Sequence, residues 1–164
     1  MGRYACVVGN LKKRYSNHIA SKRIGGREDG EKGSIRLPIG KWAREWQGVV
    51  FKQSFTEFLI GKQKRKADGV AVIADGQLRA VVIELKKSVT DKEYREQLQN
   101  SLKALCKALQ RHWQDVDVRC AVVFEERCDR KALERQLAVF GRQVTVEFRK
   151  KAKVRDCLLY TSDA

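Results

Sequence analysis

Proline, histidine and long apolar runs are scarce in this chain of 164 residues, which has one proline and two histidines. One proline and 12 glycines are too few for a collagen-like or linker-rich protein. No apolar stretch approaches the roughly 20 residues that a membrane-spanning helix needs, so we expect no membrane partner. The chain starts with a short apolar run followed by charges, which is not typical of a signal peptide, and we therefore expect a cytoplasmic protein.

The cysteines and histidines show no spacing typical of a metal site. The five cysteines form no C-x-x-C pair, and their odd number disfavours a disulfide framework. We expect reduced and mostly buried thiols, because a free cysteine packs like a small apolar side chain. The histidines, His18 and His112, stand in unrelated contexts, which disfavours a His-based metal site and a Cys-His catalytic pair.

Basic residues are in large excess, with 35 Lys and Arg against 20 Asp and Glu and a net charge of +15. Apolar residues make up 43% of the chain, which is too many for a disordered polycation, and the length suits one domain. The first 67 residues carry 16 basic and 5 acidic side chains, including the cluster KQKRK at residues 62–66. Such a basic half is typical of a surface for polyanions, although a merely solvated charged face has the same composition.

The composition divides the chain into three parts. Residues 1–37 form a basic, glycine-containing segment with weak periodicity, and its stretch KRIGGREDGEKGS is typical of a loop or linker. Residues 38–149 contain the periodic apolar segments and are predicted to form the folded domain. Residues 150–164 are a basic tail that ends in DCLLYTSDA, which resembles translated sequencing-adaptor sequence. We therefore expect the natural protein to be truncated there.

Two elements are predicted before the middle of the domain. A helix starts at Pro38 and carries Trp42, Trp46 and Val49 on one face, and a strand follows over residues 50–60. The middle, GVAVIA, then Asp-Gly, then QLRAVVIELK, predicts a β-hairpin over residues 69–86.

Four further elements follow the hairpin. They are a helix over residues 91–113, a strand over 118–126, a helix over 129–140 and a strand over 143–148. The helix over 91–113 has leucines three or four residues apart on one face. The order α-β-β-β-α-β-α-β predicts an α/β domain with a mixed sheet.

Three polar residues, Asp68, Glu84 and Lys86, lie in or beside the predicted hairpin. Glu84 and Lys86 share one face of their strand, because side chains alternate between the two faces. A two-residue turn would pair position 68 with position 83 and leave Asp68 and Glu84 on opposite faces. An odd-length turn, or a bulge near Gly76, would bring them to the same face. We therefore expect such a turn.

Two carboxylates and one ammonium at the end of a buried hairpin need a counter-ion or access to solvent. Two carboxylates, a backbone carbonyl and waters suit Mg²⁺, which lowers the pKa of bound water and stabilises charge on a phosphate. Lys86 would orient or deprotonate that water, or neutralise the developing charge. The alternative to a metal site is that Glu84 and Lys86 form a weak, solvated ion pair at the end of a strand.

Asp68, followed after 15 residues by Glu84-Leu85-Lys86, resembles the signature of the PD-(D/E)xK, restriction-endonuclease-like nucleases. The resemblance covers residues 41–124, with Ala67 in the place of the family's proline. It implies an αβββαβ core with a mixed central sheet. It also implies Mg²⁺, for which Mn²⁺ can substitute, as the cofactor.

The same resemblance implies roles for particular residues. The metal would be held by Asp68, Glu84 and the backbone carbonyl of Leu85, and Lys86 would be catalytic. Many members add a Glu from the first core helix, for which Glu45 is the first candidate and Glu57 the second.

One branch of these nucleases has Gln-x-x-x-Tyr on the helix after the E-x-K strand. Gln97 takes the Gln position, and Ser101 stands in the Tyr position. We therefore count Gln97 among the catalytic candidates. The residues expected to contact nucleic acid, without sequence preference, are Lys62, Lys64, Arg65, Lys66 and Lys87.

The sequence thus predicts a Mg²⁺-dependent endonuclease that hydrolyses phosphodiester bonds in DNA, with RNA as an alternative substrate. A homodimer fits this prediction, because many such nucleases dimerise to cut both strands. A non-catalytic nucleic-acid-binding module on the same fold is the first alternative. A basic α/β protein that binds an acidic partner is the second.

Overall fold

The computed structural model describes residues 4–25, 37–38 and 47–151. Within these residues, three α-helices accompany a six-stranded sheet and a two-stranded ribbon. The helices are α1 (Ala5–Arg14), α2 (Gln53–Ile60) and α3 (Tyr94–Leu109). The ribbon pairs β1 (Arg23–Ile24) with β2 (Leu37–Pro38). The sheet contains β3 (Gly48–Lys52), β4 (Gly69–Ala74), β5 (Leu78–Lys86), β6 (Asp117–Phe124), β7 (Gln136–Val139) and β8 (Arg142–Lys150).

The strands of the sheet follow the order β3-β4-β5-β6-β8-β7. The first three strands are antiparallel to one another, whereas β6 runs parallel to β5, and β8 runs parallel to β6. Strand β7 is antiparallel to β8. The prediction of an α/β domain with a mixed sheet is confirmed. Because parallel strands point the same way, β5, β6 and β8 all end at one edge of the sheet.

The apolar side chains form a larger and a smaller cluster. The larger cluster joins alternate positions of β4 and β5, such as Val72 and Val82, to residues of α1 and α3. The intervening positions of the same strands, such as Ala71 and Ile83, belong to the smaller cluster. Because side chains alternate along a strand, Glu84 lies on the same face as Val82, toward α3.

The hairpin of β4 and β5 has the odd-length loop that the sequence predicts. Ala74 pairs with Leu78, which leaves three residues, Asp75 to Gln77, in the loop. Gly76 in that loop has a φ of 95°, a conformation that side chains other than glycine rarely adopt. This prediction is confirmed, and it fixes which side chains share a face.

Three later elements are also confirmed, within a few residues at each end. The predicted helix over residues 91–113 forms α3 followed by a 3₁₀-helix at Gln110–Gln114. Its leucines face the core, and all are buried: Leu98, Leu102, Leu105 and Leu109. The predicted strands over 118–126 and 143–148 form β6 and β8.

The strand predicted over residues 50–60 is wrong beyond Lys52, where β3 ends and α2 begins. Strand β3 loses its partner there, because Lys52 is opposite Gly69, the first residue of β4. Helix α2 then turns Phe55 into the core, where its ring stacks on Phe51 with centroids 4.2 Å apart.

The helix predicted over residues 129–140 is also wrong. This stretch contains one short 3₁₀-helix, Arg130–Ala132, and then strand β7, in which buried and exposed residues alternate. Phe140 and Gly141 form the two-residue turn to β8, and both have positive φ angles. Gly141 therefore ends a strand rather than a helix.

The N-terminal part also differs from its prediction. Residues 5–14 form α1, whose Val7, Val8 and Leu11 are buried in the larger cluster, although weak periodicity gave no helix there. The helix predicted from Pro38 falls mostly on residues outside those described, including Trp42 and Trp46. Its two described ends are not helical, because Pro38 lies in β2 and Val49 lies in β3.

The cysteines are less buried than the sequence suggests. Cys120 is buried, whereas Cys106 and Cys128 are half-buried and Cys6 is exposed. Cys157 lies outside the described residues. The expectation of mostly buried thiols therefore holds only for Cys120 among the four that are described.

Helices long and apolar enough to cross a membrane are missing from the part of the chain that the structure describes.

The close packing of β3 on β4 leads to a first prediction about stability. A Cβ atom at Gly48 would clash with the carbonyl oxygen of Val72 and lie 3.1 Å from Ile73 Cα. Both are backbone atoms, so we expect Gly48→Ala to destabilise the protein by about 2 kcal/mol. Gly9 in α1 has nothing within 4 Å of its Cβ position, and Gly9→Ala should stabilise the protein by up to about 1 kcal/mol. Urea unfolding of the two variants checks this, and equal stabilities would contradict the packing argument.

Candidate functional site

The registers of β3, β4 and β5 align three polar residues in one row across the sheet. Gly69 pairs with Ile83, so the preceding residue, Asp68, lies opposite Glu84. On the other side, Lys52 pairs with Gly69, so Gln53 lies opposite Asp68. All three are at the edge where β5 ends.

The Asp68 carboxylate accepts hydrogen bonds from both sides of this row. Gln53 donates its Nε2 to Asp68 Oδ1 at 3.1 Å, and the backbone amide of Leu85 donates to Asp68 Oδ2 at 2.7 Å. The carboxyl of Glu84 lies opposite that of Asp68 and interacts with it electrostatically. These contacts hold Asp68 in one orientation, with its carboxyl group next to that of Glu84.

Lys86 links the buried carboxyl of Glu84 to the surface. Its Nζ lies 3.3 Å from Glu84 Oε2. The side chain of Glu84 is 2% exposed, whereas that of Lys86 is 25% exposed. The ammonium group can therefore interact both with the buried carboxylate and with a molecule that arrives from solvent.

Burial dominates the electrostatics of the pair. It raises the pKa of Glu84 well above the ordinary value, and the neighbouring Asp68 charge raises it further, while Lys86 acts in the opposite direction. Burial also raises the pKa of Asp68, partly offset by the interaction with Glu84 and by the hydrogen bond from the Leu85 amide. The metal-free pair therefore holds a proton more tightly than two exposed carboxyls would.

The residues present fit a small, hard cation. Glu84 Oε1 is buried and has no hydrogen-bond partner among the described residues, so one ligand atom is unused. Residues 4–25 and 47–151 contain no cluster of three or more His, Cys, Asp or Glu side chains suited to a metal. Mg²⁺ does not need one, because it is usually bound by one or two carboxylates and keeps several waters. A ligand role for the carbonyl of Leu85 stays a prediction.

Helix α3 fixes the chain immediately before Asp68 through two polar side chains. Ser101 is fully buried, and its Oγ accepts a hydrogen bond from the amide of Ala67 at 2.9 Å. The same Oγ lies 3.0 Å from Thr56 Oγ1 on α2. One residue earlier, Asn100 Nδ2 donates to the carbonyl oxygen of Arg65 at 2.7 Å. Ser101 thus binds the backbone next to the site, where the resemblance expects a tyrosine.

Gln97 lies one helical turn before Ser101 on α3, on the same side of the helix. Its Oε1 is buried and finds no hydrogen-bond partner in the described part of the chain. This orphaned acceptor is compatible with a polar role near the carboxyl pair. Its catalytic role stays a prediction.

The predicted nucleic-acid contacts divide into exposed and paired side chains. Lys62 and Lys64 are exposed on the loop between α2 and β4. Lys66 is paired with Glu57 at 2.6 Å. On the same loop, Arg65 lies 3.2 Å from Glu93, and after β5, Lys87 lies 3.8 Å from Glu126. A role in phosphate binding stays a prediction for all five basic residues.

The further Glu ligand that the resemblance implies stays a prediction. Glu45, the first candidate, lies outside the described residues. Glu57, the second, is on α2 and forms its ion pair with Lys66.

Sequence reasoning identified Asp68, Glu84 and Lys86, but it missed Gln53 and the contacts of Ser101. The β3–β4 register is the signal that would have found Gln53, because it places this residue opposite Asp68. The resulting site has a buried carboxyl, Glu84, a half-buried carboxyl, Asp68, and a partly exposed ammonium, a set that can bind a divalent cation and a phosphate. Comparison of the chain with protein-family models, with curated proteins and with solved structures gave no match.

Proposed function

We propose that this chain is a metal-dependent nuclease that hydrolyses phosphodiester bonds in DNA, with RNA as an alternative substrate. One observation carries the proposal: the three-residue hairpin loop brings Asp68 opposite Glu84, with Lys86 on the same face. A buried carboxyl such as that of Glu84 is costly for a protein that has no use for it. Groups with such raised pKa values cluster at functional sites.

The order of elements supports the restriction-endonuclease-like fold that the motif implies. Helix α1, the antiparallel strands β3, β4 and β5, helix α3 and the parallel strand β6 follow the order αβββαβ. In this proposal α1 takes the place of the first core helix, and α2 is an addition between the first two strands. The motif then lies on the second and third strands, as in those nucleases.

The proposed roles follow from the contacts. Asp68 and Glu84 would hold Mg²⁺, which supplies a water of lowered pKa and stabilises negative charge on the phosphate. Gln53 and the Leu85 amide keep the Asp68 carboxylate in place. As an ammonium, Lys86 is close enough to the pair to orient the water, and exposed enough to neutralise charge on the substrate.

Phosphate contacts would come from the loop that leads into the site. Lys62 and Lys64 are exposed there, four to six residues before Asp68. Such contacts bring affinity without sequence preference, which suits a backbone-cutting enzyme. A homodimer would supply the two sites that cleavage of both strands requires.

Cleavage of a supercoiled plasmid and of a branched DNA tests the proposal directly. We expect cutting in Mg²⁺ or Mn²⁺, and none in EDTA. Asp68→Asn should lower the rate by at least about a hundredfold, because it removes one metal ligand and leaves the shape of the side chain unchanged. Lys86→Ala should also lose about a hundredfold or more.

Asp75→Asn is the matched control, because Asp75 lies at the other end of β4, where it pairs with Arg79 at 3.2 Å. This variant should cut like the wild type. Activity that survives in Asp68→Asn, or that is lost equally in Asp75→Asn, would contradict the proposed site.

A non-catalytic nucleic-acid-binding module is the second candidate. The observation that favours it is that the charged groups of the site already have partners within the protein. Asp68 accepts two hydrogen bonds, and Lys86 forms an ion pair with Glu84. This candidate predicts DNA binding that falls with salt, no cutting in any metal, and no effect of Asp68→Asn on affinity.

A further inference from the structure

Phe58 is an exposed aromatic side chain on α2, the helix that begins at Gln53. Its side chain is 65% exposed, although the other phenylalanines near it, Phe51 and Phe55, are fully buried. A single exposed apolar ring needs no explanation by itself, so the neighbours of Phe58 decide whether it has a role.

The exposed ring is held in a fixed position by its neighbours. The buried Tyr15 meets Phe58 edge to face, with ring centroids 6.1 Å apart. His18 lies against the same ring at 5.2 Å, tilted by 38°. His18 is itself fixed, because its Nδ1 lies 2.8 Å from Ser54 Oγ on the first turn of α2. Phe58 therefore presents a supported ring to solvent, with the half-buried His18 packed against it.

Exposed basic residues are neighbours of the Phe58–His18 pair along the chain and across a β-bridge. Lys12, Lys13 and Arg14 are exposed in the last turn of α1, directly before Tyr15. Lys52 is also exposed, and it lies beside His18 because Ile19 forms a bridge with Phe51. Aromatic rings within a basic surface are the combination that binds the bases and phosphates of single-stranded nucleic acid.

We propose that Phe58 and His18 form a stacking platform for an unpaired base of a nucleic-acid strand that enters the site. The partner class rests on the proposed function, and the platform adds a preference for unpaired over fully paired DNA. Phe58 is five residues after Gln53, or about 7 Å along the helix axis. The platform therefore lies on the same helix as Gln53, the residue that donates a hydrogen bond to Asp68.

Phe140 provides a matched control within the same chain. It is the other exposed large apolar side chain among the described residues, and its exposure is nearly the same, at 63%. It lies in the turn that precedes β8. Because β6 runs parallel to both β5 and β8, this turn is at the end of the sheet opposite Lys86.

Fluorescence anisotropy with labelled DNA in EDTA tests the platform without any cleavage. The probes are an oligothymidylate and a duplex of the same length, and the protein is the full chain carrying Asp68→Asn. In this background Phe58→Ala should weaken oligothymidylate binding about tenfold and should change duplex binding by less than about twofold. Phe58→Leu, which keeps an apolar side chain, should weaken binding similarly, whereas Phe140→Ala should leave both affinities unchanged.

The outcomes separate this inference from the proposed function. Loss of oligothymidylate affinity in Phe58→Ala and Phe58→Leu, with unchanged unfolding temperatures, supports the platform even if the wild type cuts no DNA. Equal losses on both probes, or equal effects of Phe58→Ala and Phe140→Ala, would overturn it. So would a wild-type chain that cuts plasmid but binds oligothymidylate no better than its Phe58→Ala variant.

Discussion

Replacing Glu84 with glutamine is expected to lower cleavage at least about a hundredfold while making the metal-free protein more stable at alkaline pH. The two effects have one cause. Glu84 is 2% exposed and adjacent to the Asp68 carboxyl, so its ionised form is costly to keep in the fold. Glutamine has the same shape and carries no charge, but it is a poor ligand for Mg²⁺.

The pH dependence follows from the raised pKa of Glu84. Between its ordinary value of 4.5 and its raised folded-state pKa, the folded protein binds more protons than the unfolded chain. The stability of the wild type therefore falls as pH rises through this interval and then levels off once the folded carboxyl is ionised. The stabilisation by Glu84→Gln should be absent below pH 4.5 and fully present above the folded-state pKa.

Thermal unfolding in EDTA across this pH range measures the effect. At alkaline pH we expect a gain of about 1 kcal/mol, or about 3 °C in unfolding temperature for a chain of this size. Adding Mg²⁺ should raise the unfolding temperature of the wild type but not that of Glu84→Gln, because only the wild type keeps both ligands.

Glu147→Gln is the control for this substitution. Glu147 is a half-buried carboxylate on β8, and it lies 3.7 Å from Arg119 and 3.6 Å from Arg149. Its removal should lower stability slightly and leave cleavage and the Mg²⁺ response unchanged. If Glu84→Gln is less stable than the wild type at alkaline pH without metal, burial of the Glu84 charge is not the cost that we infer.

The central hairpin could be predicted from sequence because two independent patterns agree there. The Val- and Ile-rich arms fix the strands, and the positions of Asp68 and Glu84 require an odd-length turn if the two are to share a face. The structure has this three-residue loop. Local composition and side-chain alternation were sufficient to predict the hairpin and its loop length, because the two strands are close together in sequence.

Helix α2 and strand β7 were predicted wrongly because tertiary packing decides them. Phenylalanine favours strands, but Phe55 can stack on Phe51 only if the chain turns into a helix after Lys52. In β7 the turn to β8 has Phe140 and Gly141 with positive φ, where Asn-Gly is the usual signal. The turn preferences of short sequences therefore do not predict a hairpin at Phe140-Gly141.

The parts of the site that the sequence did not show depend on pairings between distant segments. Gln53 reaches Asp68 only because β3 pairs with β4 in one register, across a helix and a loop. Ser101 is 34 residues from Ala67, and its contact requires α3 to pack over the start of β4. Motif spacing gives the candidate metal ligands, whereas the groups that orient their side chains come from the fold.

Replacing Ser101 with alanine is expected to reduce cleavage about tenfold to a hundredfold, beyond its effect on stability. The variant leaves the buried amide of Ala67 without its acceptor, which costs about 1–3 kcal/mol of folding free energy. It also frees the chain directly before Asp68, and a shift of about 1 Å in a catalytic group can cost about a hundredfold in rate. Ser101 touches neither carboxylate in the described hydrogen bonds, so it acts as a positioning residue.

Thr56→Val separates the two effects, because Thr56 is the other hydrogen-bond partner of Ser101 and does not contact Ala67. This variant should lose stability comparable to that lost by Ser101→Ala, while the Ser101–Ala67 hydrogen bond and most of the cleavage rate remain. Plasmid cleavage at several Mg²⁺ concentrations measures both the maximal rate and the concentration that gives half of it. We expect Ser101→Ala to need more Mg²⁺, and Thr56→Val to need the same as the wild type. Equal Mg²⁺ requirements in the two variants would reduce Ser101 to a packing role, because its contact with Ala67 is what connects it to Asp68, the proposed metal ligand.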